Sequence, residues 1–133
     1  MVVDKNDEEI INNDGFLPEA EDKDFFKNVA IYVRADQEEL AENPGCIEEQ
    51  LEVCRAYAAE YDKIVVYEFV EKAADKGDVF SRSEIDSVRA WAFAADFSTL
   101  LVSTADRISY DNAEYEKLEH ELLETGIEIV PVK

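Results

Sequence analysis

The sequence predicts an α/β domain in three layers, with a mainly parallel sheet of four to five strands covered by helices on both faces. Three observations carry this. Short apolar runs alternate with longer segments whose apolar residues recur at helical spacing. Turn-forming residues separate the two kinds of segment. A length of 133 residues with 47% hydrophobic content suits one core and leaves no room for a second. Strands joined through helices lie parallel through right-handed crossovers.

Residues 1–26 hold nine acids and two bases and are interrupted by Gly15 and Pro18, so they are expected to form a flexible acidic arm. Its apolar islands are Ile10-Ile11 and Phe25-Phe26. The domain proper is expected over residues 27–133. Val29–Val33 reads as a buried strand, and Asn43-Pro44-Gly45 breaks the chain before the next helix. From Ile47, apolar residues at 47, 51, 54, 58 and 61 make one face of a helix. Ile64–Phe69 is the second strand, followed by a loop at Asp75-Lys-Gly-Asp78. Ile85, Val88, Ala92 and Ala95 keep helical spacing, and Leu100–Val102 is the third strand. Tyr115, Leu118 and Leu122 share a face of the last helix, which stops at Gly126, a residue suited to a left-handed C-cap. Ile127–Val130 is the fourth strand.

The formal charge is −20, of which residues 27–133 contribute −13 from 24 acids and 11 bases. Affinity for nucleic acid rests largely on Lys and Arg neutralising phosphates, so a field of this sign predicts weak or no DNA binding by the chain alone. Cys46 and Cys54 fall on one predicted helix about 12 Å apart along its axis, too far for a disulfide, which suggests reduced thiols in a cytoplasmic protein. No basic-then-apolar leader opens the sequence, and no run approaches the roughly 18 apolar residues of a membrane span.

Ligand sites in parallel sheets lie at the carboxyl ends of the strands, where Arg34, Asp36, Glu71, Asp106 and Arg107 fall. The segments around them carry a family resemblance. Ala30-Ile-Tyr-Val-Arg34-Ala-Asp36 resembles a first strand ending in Arg-x-Ser. Gln50-Leu51-Glu-Val-Cys54-Arg55-Ala-Tyr57-Ala58 resembles the helix that follows it. Phe69-Val-Glu71 resembles a Phe-x-Asp strand end, Arg82-Ser-Glu-Ile85 an Arg-Pro-Gly-Leu helix start, and Asp106-Arg107-Ile108-Ser109-Tyr110 an Asp-Arg-Leu-x-Arg motif. Their order and spacing over roughly residues 28–133 resemble the catalytic domain of serine site-specific recombinases of the resolvase/invertase family.

The resemblance implies a pocket in which a serine attacks a DNA phosphodiester while arginines hold the phosphate. Guanidinium forks match phosphate oxygens two at a time, and fixed positive charge stabilises the transition state. Arg34, Arg82 and Arg107 are the phosphate-facing candidates here, with Asp106 beside Arg107. Three positions depart from the pattern: Asp36 replaces the nucleophile, Leu40 a glutamine and Tyr110 an arginine. A carboxylate about 4 Å from a phosphate oxygen costs roughly 4 kcal/mol at an effective dielectric near 20, about a thousandfold in binding. The vestigial pocket of Arg34, Asp36, Arg82, Asp106, Arg107 and Tyr110 is thus expected to have no intact catalytic residue and to be neutralised internally, with Asp36 accepting hydrogen bonds from Arg34 or Arg107. A retained anion pocket is the competing reading.

Weaker readings are an aspartyl-phosphate at Asp36, a tyrosine nucleophile at Tyr110, and a metal between Asp36, Glu71 and Asp106. No metal or other cofactor is expected. His120 reads as a surface residue, and Trp91, Phe93 and Phe97 as core or a partner surface. The resemblance further implies a long dimer helix and a DNA-binding domain, both expected to be lacking because the sequence stops at Lys133. The functional expectation is a non-catalytic recombinase-like module, linked to a mobile element or DNA recombination and working with a protein partner such as an active recombinase. The alternative is an active strand-exchange enzyme with displaced chemistry.

Overall fold

The structure, a computed structural model of the chain, describes residues 26–72, 82–94 and 96–133. Residues 1–25 of the expected arm over 1–26, the Asp75–Asp78 loop, Ala95 and the side chain of Phe93 lie outside the described residues.

Strand β1 (Asn28–Ala35) is the centre of the domain. Nearly every residue in it is apolar because helices cover it on both sides. Ala30 and Tyr32 point into one core, and Val29, Ile31, Val33 and Ala35 into the other. Next come helix α1 (Gln37–Glu42), helix α2 (Cys46–Glu60) and strand β2 (Ile64–Lys72). Helix α3 (Ser83–Ala94), strand β3 (Thr99–Val102), a 3-10 turn (Ala105–Arg107), helix α4 (Asn112–Glu124) and strand β4 (Glu128–Pro131) complete the described order.

Every pairing of the four strands is parallel, and the sheet order is β2-β1-β3-β4. From β1 the chain moves outward to β2, then crosses back to β3 on the other side of β1. The order therefore reverses between β1 and β3, and a crevice opens at their carboxyl ends.

Helix α2 covers one face with Cys46, Ile47, Leu51, Cys54 and Ala58. Helices α3 and α4 cover the other with Ile85, Val88, Ala92, Leu118 and Leu122. Gly126 takes φ +89°, the left-handed conformation in which a side chain would be strained, and it ends α4 as the sequence predicts. His120 is exposed beside Glu124 on α4.

Several expectations are corrected. The α2 stripe stops short of Tyr61, which is the C-cap and 54% exposed. Cys46 is only 3% exposed because α2 enters the core at its first residue. Gln50, off the apolar stripe, is also buried, for a reason that lies in the site. Of the aromatic cluster, Phe97 is core, whereas Trp91 is part-exposed and stacks on Tyr67 with ring centroids 4.9 Å apart. β2, an edge strand, is blunted by a register shift opposite Val29 and Ala30, which leaves Val66 without a β1 partner.

Candidate functional site

The crevice between the ends of β1 and β3 holds a cleft of about 540 Å³. It is walled by α1, the carboxyl end of β1, the start of α3 and the segment after the 3-10 turn. β3 pairs with β1 only as far as Ile31↔Leu101, so β1 continues past its neighbour. The Gln50 side chain takes over there. Its Oε1 accepts from the Arg34 N–H at 3.1 Å, and its Nε2 donates to the Arg34 carbonyl at 3.0 Å. A buried amide with both ends satisfied is stable, and it pins the strand end that presents Arg34.

Directly after β1 the chain turns into α1. Asp36 is the N-cap, in extended conformation, with Oδ1 accepting from the Glu39 N–H at 2.8 Å. Asp is among the best N-caps because its carboxylate satisfies an orphan N–H and faces the positive end of the helix. The Asp36-x-x-Glu39 spacing is a capping-box signal that was available in the sequence. The Asp36 carboxylate is therefore occupied in local structure.

Arg107 is not neutralised by Asp36, as expected, but by Glu39. Its Nη1 and Nη2 donate to the two Glu39 carboxylate oxygens at 2.7 Å each, and Nη1 also reaches the Arg34 carbonyl at 3.0 Å. This two-point contact holds Arg107 even more firmly protonated than usual. Asp36 points at its own helix, so the acid one turn on faces the guanidinium.

Arg82 is 8% exposed and lines the same cleft. Its Nη1 donates to the Ile108 carbonyl at 2.7 Å, the Arg107 carbonyl at 3.3 Å and Tyr32 Oη at 3.4 Å, tying α3 to the turn that carries Arg107. Tyr32 Oη in turn donates to Glu71 at 3.3 Å, and burial pushes the Tyr32 phenol well above its ordinary range. Glu71 also accepts from Ser83 Oγ at 3.2 Å and the Glu84 N–H at 3.1 Å, so it caps the start of α3.

Of the six residues expected to share the pocket, Arg34, Asp36, Arg82, Arg107 and Tyr110 line the cleft, Tyr110 being 83% exposed. Asp106 is not among the lining residues; it accepts from Thr104 Oγ1 within its own turn. Asp36, Glu71 and Asp106 each serve a different local partner and do not converge. Among the described residues no three acid, thiol or imidazole groups gather as a metal site requires. Nor is any helix among them long and apolar enough to cross a membrane. Sequence reasoning missed Glu38, Glu39, Glu42, Asp111 and Glu114 as cleft residues. With Asp36 they set six carboxylates against three guanidinium groups, so the cleft carries net negative charge despite its arginines.

Comparison with known proteins bears on this cleft. The family described as Resolvase, N terminal domain, matches residues 29–133. The fold is similar to the N-terminal catalytic domain of TP901-1 integrase, with TM-score 0.73 and 22% identity over 80% of this chain and 78% of that one. It is also similar to the C-terminal catalytic domain of ISC1926 TnpA, an IS607-like serine recombinase, with TM-score 0.67 and 19% identity over 80% and 67% of the two chains. A resolvase family site-specific recombinase from Streptococcus pneumoniae matches at TM-score 0.67 and 16% identity over 79% and 71%. At these identities the likeness carries the fold. No curated protein sequence matches the chain.

Proposed function

Since the chain belongs to the resolvase N-terminal domain family, we propose that it is a recombinase-like domain that does not cut DNA and acts as an interaction or regulatory module in mobile-element recombination. The observation that carries this reading is the state of residue 36. A serine hydroxyl at a strand end can attack a phosphorus atom once its proton is removed. The Asp36 carboxylate is instead engaged as the cap of α1, and it adds negative charge where a phosphate would approach. An acyl phosphate formed there would hydrolyse before strands could be rejoined. The arginines that would stabilise the transition state are committed within the fold: Arg107 to Glu39, and Arg82 to the carbonyls of the 3-10 turn.

The fold still offers what a module needs. Its fold is similar to that of recombinase catalytic domains, and this similarity is what supports a recombinase as the partner. The test is incubation of supercoiled plasmid with the native chain and with an Asp36→Ser, Tyr110→Arg variant. No nicked or protein-linked product is expected from the native chain. A covalent protein–DNA adduct from the native chain would establish the displaced-chemistry enzyme instead.

A further inference from the structure

We infer that Glu39 is a displaceable plug on an oxyanion seat: a small, doubly charged oxyanion with the chemistry of a phosphoryl group competes with the Glu39 carboxylate for Arg107. The inference rests on the reading that the native cleft no longer works on DNA, and it adds what occupies Arg107 within it. One carboxylate takes both Nη atoms of Arg107 at 2.7 Å, the same planar two-point match that phosphate oxygens make.

The pair is not sealed in the core. The Arg107 and Glu39 side chains are 23% and 32% exposed, on the wall of an open cleft of about 540 Å³. Helix α1, which carries Glu39, is six residues long and buries none of them fully. The contacts that hold it include the Asp36 cap, the Glu39–Arg107 pair and the partial packing of Leu40. Little apolar area therefore opposes its movement, and short elements with few buried contacts open most readily. Donor capacity also stands behind the plug. Arg82 is more than nine-tenths buried in the same cleft, and its buried Nε–H has no hydrogen-bond partner among the described residues. An orphaned donor of this kind is costly unless a ligand meets it. When an external oxyanion takes Arg107, Glu39 is expelled and α1 is released, so the cleft becomes a switch.

The experiment is a titration of the full chain with inorganic phosphate, read by phosphorus NMR and by amide shifts in α1 and the 3-10 turn. Glu39→Gln removes the competing charge, and Glu42→Gln removes an equal charge from the same cleft without touching Arg107. Glu39→Gln is expected to bind phosphate at least about tenfold more tightly than the native chain, whereas Glu42→Gln gains less than about twofold. Arg107→Gln in the Glu39→Gln background should abolish the gain. Equal gains in the two single variants would show a general field effect and overturn the plug, as would a folded Glu39→Gln that binds no better than native. If Glu39→Gln does not fold, Glu39→Asp takes its place: it keeps the charge but shortens the reach, and absence of any gain there overturns the inference. DNA cleavage by the native chain would overturn the non-catalytic reading while leaving this comparison between variants intact.

Discussion

Glu39 and Arg107 lie 68 residues apart in sequence, yet both carboxylate oxygens of one sit 2.7 Å from the two Nη atoms of the other. The contact ties α1 to the 3-10 turn beside the crevice between β1 and β3, and it puts an internal acid where the family resemblance implies a phosphate. Because both side chains remain partly exposed, its energy is discounted for solvent screening. A double-mutant cycle with Glu39→Gln and Arg107→Gln should give a coupling of about 0.5–1 kcal/mol in urea unfolding, falling as salt is raised. A salt-independent coupling would contradict the exposed geometry.

Asp36 should behave as a helix cap in any stability measurement. Asp36→Ala is expected to cost about 0.5–2 kcal/mol, whereas Asp36→Ser should lie within about 0.5 kcal/mol of native, because serine caps nearly as well. Chemical denaturation of the two variants checks this. Equal losses would mean that Asp36 stabilises by charge rather than by its bond to the Glu39 N–H.

Core substitutions on α2 should separate by residue type. Leu51→Ala, on the buried stripe, should cost about 2–5 kcal/mol. Cys46→Ser should cost about 1–2 kcal/mol, because it buries a hydroxyl in an apolar cluster. Unfolding midpoints with unchanged slopes would report both.

Cys54 supplies a pH signature. Burial raises its thiol from 9.0 to about 11, so the folded state holds the proton more tightly than the unfolded chain does. The stability from this group is fully present below pH 9 and is lost as pH rises through about 11, a loss of roughly 2–3 kcal/mol. The difference in unfolding free energy between the native chain and Cys54→Ala, followed from pH 8 to 11, should show this decline. A flat difference would mean that the thiol is more accessible than its burial implies. Native Cys54 should also resist thiol reagents at pH 8 until the chain unfolds.

Duplex DNA should not bind the chain appreciably at physiological salt, since a charge of −20 and a cleft with twice as many acids as arginines both repel phosphates. A mobility-shift titration that yields a submicromolar complex would refute this.

Much of the fold was legible in the sequence because it is written in local, repeated choices. The apolar run at Val29–Val33 marks a strand covered on both faces, the spacing from Ile47 to Ala58 marks the buried side of α2, and Gly126 marks where α4 must stop. Arg34 and Arg107 were legible too, because strand ends place them together whatever the detail of packing, whereas Arg82 was named by the family resemblance. Tertiary structure decided which acid meets which arginine. Asp36 and Glu39 both follow Arg34 within five residues, and only the N-cap geometry turns the first toward its own helix and leaves the second facing Arg107. Gln50 and Glu71 look like surface residues by type. They are buried because β1 outruns β3 and because α3 starts against β2, facts about distant pairing that leave backbone groups requiring partners. Local periodicity records what one segment needs from the core, whereas these contacts depend on where a second segment, tens of residues away, brings its charge.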